Sequence, residues 1–185
     1  MKFSIASVLI AGAAVAQGSL LAERSSSLCS YGTAALQEQL SFVYPLFTAC
    51  KTALNGKYTN PWGNKICVAA AVVGSPGLIR DALSCSYSSM GDLDTLPYLD
   101  YSVYAAIVGS CAYSSTACKI TKQNLIDLVY GAISAESSAV WPSSSDALTD
   151  TYITPIFTWT ATGSKIPYTN FNDWLHYAPD DESDC

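Results

Sequence analysis

Seven cysteines, at positions 29, 50, 67, 85, 111, 118 and 185, constrain this chain more than any other feature. The intervals between them hold 20, 16, 17, 25, 6 and 66 residues, so no C-x-x-C occurs, and the single histidine cannot complete a mixed Cys/His zinc site. No metal site and no cofactor is implied. The first sixteen residues read as a secretory signal peptide: Lys2 gives a positive start, Phe3 to Val15 is a short apolar run, and Ala14-Val15-Ala16 is a small-residue cleavage site. Cysteines exported to an oxidising compartment are read first as disulfides. Six pair and one is left over. Cys185 is the odd one, either free or joining two chains as a dimer.

The intervals become a pairing only once elements are placed between them. Thr33 to Leu54 has helical periodicity, with Leu36, Leu40, Val43, Tyr44, Phe47 and Leu54 near one face and Thr33 as N-cap. Pro45 kinks or splits that helix, and Asn55-Gly56 stops it. Ile66 to Val73 is apolar on every side and reads as a buried helix, broken by Gly74-Ser75-Pro76-Gly77; Leu78 to Cys85 is a further short helix. The runs 29–50 and 67–85 are each about 25 to 30 Å long as helices. Laid antiparallel, they bring Cys50 beside Cys67 and Cys29 beside Cys85, one of three ways to pair four cysteines. Cys111 and Cys118 close on each other as a loop staple.

Further along, Val103 to Ser110 echoes the Ala/Val pattern of Val68 to Ser75, as expected of two similarly packed helices. Thr121 to Ala135 is the clearest helix, with Leu125, Ile126, Val129, Ala132 and Ile133 on its apolar face. A final helix runs from about Asp146 to Thr160, interrupted by Pro155. The expected fold is all-α, a single disulfide-stapled helical domain over 29–177. A polar lead at 17–28, with a propeptide ending at Glu23-Arg24, precedes it, and an acidic disordered tail at 178–185 follows.

Charge narrows the partners. Loss of Lys2 with the leader takes the formal charge from −6 to −7 and leaves eight basic residues, which suits neither nucleic acid nor an anionic membrane surface. No run after the leader is long and apolar enough for insertion into a membrane, and no N-x-Ser/Thr sequon occurs. The expected location is extracellular, and the partner a glycan, a lipid or a host protein.

Chemistry is sparse. Between Pro155 and Tyr177, seven of 23 residues are Phe, Trp, Tyr or His, and His176 lies there three residues after Asp173. A hydrolase would use His176 as general base with Asp173 on the same helix face, but no Gly-x-Ser-x-Gly elbow accompanies them. The competing expectation is a ring packed beside Trp174 and Tyr177 and bonded locally. Paired carboxylates for glycoside hydrolysis would have to come from Asp100 and Asp127, each of which serves equally as a helix cap or as the partner of Lys119 or Lys122. Asp92 and Asp94 read as a solvated turn. Exposed Trp159, Tyr168, Trp174 and Tyr177 would form a stacking platform for sugars or a protein interface; otherwise they are core and lid.

Trp159-Thr-Ala-Thr-Gly163 and Ile166-Pro-Tyr-Thr-Asn-Phe-Asn-Asp-Trp-Leu-His-Tyr177 resemble the ending of small secreted cysteine-containing proteins of mushroom-forming fungi. Cys118-Lys-Ile-Thr-Lys-Gln-Asn-Leu-Ile-Asp127 and Cys67-Val-Ala-Ala-Ala71 are similar to their middle portions. The resemblance implies a fungal secreted protein, and it carries over no catalytic residue. The sequence therefore favours a non-enzymatic binding or effector-like protein, ahead of a hydrolase built on His176 and Asp173 or a carrier of a small apolar ligand.

Overall fold

Lys65–Gly74 is the helix that everything else encloses, and its composition explains why. From Cys67 to Gly74 every residue is buried, which requires an element apolar on all sides. The computed structural model describes residues 27, 29–38, 42–55, 60–87, 89–114, 118–136 and 140–178. The leader, the lead up to residue 26, Leu40, Gly56 and Cys185 lie outside them. In chain order the helices are α1 (29–38), α2 (Val43–Ala53), α3 (Lys65–Gly74), α4 (Pro76–Ser84), α5 (Tyr101–Val108), α6 (Lys122–Ala135), α7 (Ser145–Leu148), α8 (Thr154–Thr160) and α9 (Tyr168–Tyr177). The protein is all-α. Among the described residues the only strand-like pairing is one antiparallel bridge between Ile120 and Ile166.

α2 begins at Val43, so Pro45 sits in its first turn, where its missing N–H costs nothing. Thr33 lies inside α1, so it is no N-cap: the helix begins at least a turn earlier, at or before Cys29. Asn55, with φ 50°, takes the left-handed position that ends α2. Asn64 caps α3 by accepting from the Ile66 N–H at 2.9 Å. Ser75, with φ 64°, turns the chain by 115° into α4. No single described helix is long and apolar enough to cross a membrane.

α2, α4 and α6 all pack on α3. At its end, Gly74 makes room for neighbours: a Cβ there would lie 3.0 to 3.3 Å from Leu36, Ile79 and Val43, side chains of α1, α4 and α2. Gly32 of α1 meets α4 as closely, since a Cβ would stand 2.8 Å from the Ala82 nitrogen and from Asp81 Cβ. α6 carries a reciprocal cap, Thr121 and Asn124 each accepting from the other's main-chain N–H. Its buried face is Leu125, Leu128, Val129, Ala132 and Ile133.

Two elements differ from the sequence reading. The region from Ser145 to Thr160 is one continuous coil, but its turn Thr149–Ile153 widens to a π-helix just before Pro155, so the proline ring meets a locally expanded turn. A further helix, α9, then follows it: Ala161 adopts the left-handed conformation, Gly163 turns the chain, and Pro167 precedes the first residue. Ala178, placed by sequence in the tail, is buried with the core. The echo between 68–75 and 103–110 does not extend to environment, because α5 exposes Tyr101, Ser102 and Ala106 where α3 is enclosed.

Among the described residues three disulfides close: Cys29–Cys85, Cys50–Cys67 and Cys111–Cys118. Cys50 and Cys67 are fully buried and tie α2 to the central helix. Replacing both by Ala is expected to lower stability by about 2–4 kcal/mol, read as a fall in the denaturant midpoint; an unchanged midpoint contradicts the staple's role.

Candidate functional site

The aromatic tail is organised by what it grips. Tyr168, Asn172 and His176 recur every fourth residue and so share one face of α9. All three bond the main chain of the extended segment 96–100. The Tyr168 hydroxyl donates to the Leu99 carbonyl at 2.6 Å, Asn172 Oδ1 accepts from the Leu99 N–H at 2.9 Å, and His176 Nε2 lies 3.0 Å from the Leu96 carbonyl oxygen. From the other side, the 3-10 turn Pro61–Gly63 holds the same segment. Asn60 Nδ2 donates to the Tyr98 carbonyl at 2.6 Å, and the Asp100 N–H donates to the Trp62 carbonyl at 3.2 Å. A segment without regular partners is thus satisfied by side chains and a turn.

That clamp displays a tyrosine-rich surface. Tyr98 is 70% exposed, Tyr113 68% and Tyr101 38%. Tyr101 meets Tyr113 at 5.6 Å between ring centroids and Tyr168 at 5.3 Å, and Tyr168 meets Tyr104 edge-on at 5.2 Å. Tyr98 rests on the His176 ring at 5.5 Å, and Tyr177, 57% exposed, adjoins that ring at 6.1 Å. Two hydroxyls brace the surface from beneath: Tyr101 donates to the Ala112 carbonyl at 2.7 Å, and Tyr104 donates to that of Cys118. The Cys111–Cys118 bridge pins both acceptor segments. Asp100, exposed and flanked in sequence by Tyr98 and Tyr101, caps α5, accepting from the Ser102 N–H at 2.7 Å. Its hydrogen bonds to Ser102 hold its carboxyl below the usual range.

His176 is 2% exposed, and its Nδ1 lies 2.7 Å from the Asn172 carbonyl oxygen. Both ring nitrogens therefore face main-chain carbonyls rather than Asp173, one of them local at Asn172 and the other distant at Leu96, and the ring packs against Tyr98 and Tyr177. Asp127 is exposed on α6 and accepts from Gln123, while Asp100 caps α5. Trp174 is buried and stacked on Phe171 at 5.3 Å, because it points from α9 into the core. Trp159 is half-exposed on α8. Of the four aromatic residues singled out by sequence, Tyr168 and Tyr177 lie at the tyrosine surface.

Sequence reasoning missed Tyr98, Tyr101 and Tyr113: Tyr98 and Tyr101 reach His176 and Tyr168 only once the segment 96–101 is drawn against α9, and Tyr113 reaches Tyr101 only once the turn 110–113 folds back on α5. Asp92 is exposed at the start of the 3-10 turn Leu93–Thr95, as expected of a solvated turn, and it also pairs with Arg80, which further bonds Asp81 and donates to the Gly91 carbonyl at 2.9 Å, linking α4 to the loop that leads into the site. Burial pushes the Asp81 carboxyl up, and Arg80 partly offsets this. Among the described residues no three His, Cys, Asp or Glu side chains come together as a metal site would require. Comparison of the chain with protein-family models, with curated proteins and with solved structures returns no match.

Burial raises the phenols of Tyr104 and Tyr168, and Asp100 and Tyr101 add to the effect at Tyr168. An acid whose folded value is raised contributes stability that is complete below its unfolded value, about 10, and is lost as pH climbs through the folded one. The phenolate absorbance of the wild type minus that of Tyr104→Phe/Tyr168→Phe should therefore have its midpoint above about pH 10. A difference midpoint at or below that value contradicts the bracing described here.

Proposed function

We propose that this is a secreted, non-enzymatic binding protein that holds a carbohydrate on the tyrosine surface formed by Tyr98, Tyr101, Tyr113 and Tyr168. The observation that carries this reading is the exposure of Tyr98, on the segment clamped from two sides, and of Tyr101 and Tyr113, whose ring centroids meet 5.6 Å apart just beyond it. Rings exposed in this way and held rigid lose little conformational entropy on binding. Aromatic faces suit the apolar faces of sugar rings, and the acidic chain disfavours nucleic acids and anionic lipid as alternatives.

Export is supported by the leader pattern and by three disulfides, the chemistry of an oxidising compartment. The resemblance of the tail to small secreted proteins of mushroom-forming fungi supports a fungal source, with the ligand at the fungal cell surface or on a host or substrate. His176 acts in this reading as a positioning residue that holds Leu96 and seats Tyr98.

Binding to a panel of immobilised polysaccharides tests the proposal. At least one should bind saturably, and Tyr98→Ala/Tyr113→Ala should weaken it at least about tenfold, or ~1.4 kcal/mol. Both positions are exposed, so the variant keeps its helical circular dichroism. A double variant that binds as tightly as the wild type contradicts the reading.

A further inference from the structure

The tyrosine surface carries a charge as well as rings. Asp100 is exposed, and Tyr98 and Tyr101 stand on either side of it in sequence. The Tyr168 hydroxyl donates at 2.6 Å to the carbonyl of Leu99, the residue just before Asp100. Among the described residues this carboxylate bonds Ser102 and no basic side chain, so its charge is uncompensated in a chain of net charge −6. A carboxylate among tyrosine faces is the combination that attracts an ammonium group, through Coulomb attraction and through the ring quadrupoles.

Resting on the reading of this surface as a sugar-binding one, we infer that its ligand is an amine-bearing sugar chain, with ammonium groups held by Asp100 and the tyrosine rings beside it. The rings of Tyr101 and Tyr113 meet at 61°, and those of Tyr101 and Tyr168 at 54°. Each therefore offers a separate face rather than one flat shelf. An amino-sugar chain presents a ring to stack and a cation to pair at every unit, which matches separate faces around one carboxylate. A lysine-rich peptide supplies the cation on a flexible stem but no ring. An acidic or sulfated sugar would be repelled by the net charge.

Asp100 also supplies a clean variant. Asp100→Asn removes the charge and keeps the cap, because Asn and Asp cap helices about equally well. Titration of the full chain at mildly acidic pH with a β-1,4-linked glucosamine hexamer, its N-acetylated counterpart, a glucose hexamer and pentalysine provides the test. The glucosamine hexamer should bind at least about tenfold more tightly than either neutral sugar. That preference should fall with added salt and vanish in Asp100→Asn. Equal affinity for amine and neutral sugars overturns the inference and leaves the sugar-binding reading standing, provided Tyr98→Ala/Tyr113→Ala still weakens them. A preference that survives in Asp100→Asn, or binding of pentalysine without the amino sugar, also overturns it. Absence of binding by every sugar overturns both.

Discussion

Burial of α3 on all sides is the constraint on which the structure depends. A helix of alanine and valine has no polar face to offer water, so it is stable only when other helices cover it. α2, α4 and α6 do so, and each brings a consequence. α2 is locked in place by the Cys50–Cys67 bridge, α4 is redirected at Ser75, and α6 presents a continuous apolar face. The small residues of α3 let its neighbours approach closely, as the crowding of Leu36, Val43 and Ile79 around Gly74 shows.

The outer layer follows from that centre. α4, seated on α3, positions Arg80 to hold Gly91 and Asp92, and so directs the chain toward 96–100. α9 packs against α4 and α8 and uses its polar stripe to grip that segment. Main-chain groups that would otherwise need water are satisfied by Tyr168, Asn172 and His176. The resulting rigidity links fold to proposed function, because exposed rings bind best when they are already ordered.

Legibility in the sequence divided along physical lines. Helices with a strong period or a clear stop were readable: the enclosed run 66–73, the face of Leu125, Val129 and Ile133, and the breaks at Asn55 and Gly74. The disulfide pairing was readable too, although each run is two helices rather than one rod, the second bent by 115° at Ser75. α9 was hidden because its stripe mixes Tyr168, Asn172 and His176 with apolar Phe171 and Leu175, and its polar members face protein rather than solvent. The tyrosine surface was hidden for a related reason. Tyr98, Tyr101 and Tyr113 are distant in sequence from Tyr168; the long-range bonds at Leu99 bring Tyr168 to this segment, and the Tyr101–Ala112 bond holds Tyr113 beside Tyr101.

Native-state amide hydrogen exchange measures the central claim directly. The amides from Val68 to Val73 should exchange only through global unfolding, at the free energy found by denaturant titration, while those of the short peripheral α7 exchange at far lower cost. If the α3 amides exchanged as readily as those of α7, the helix would not be the enclosed centre on which the rest of the protein is built.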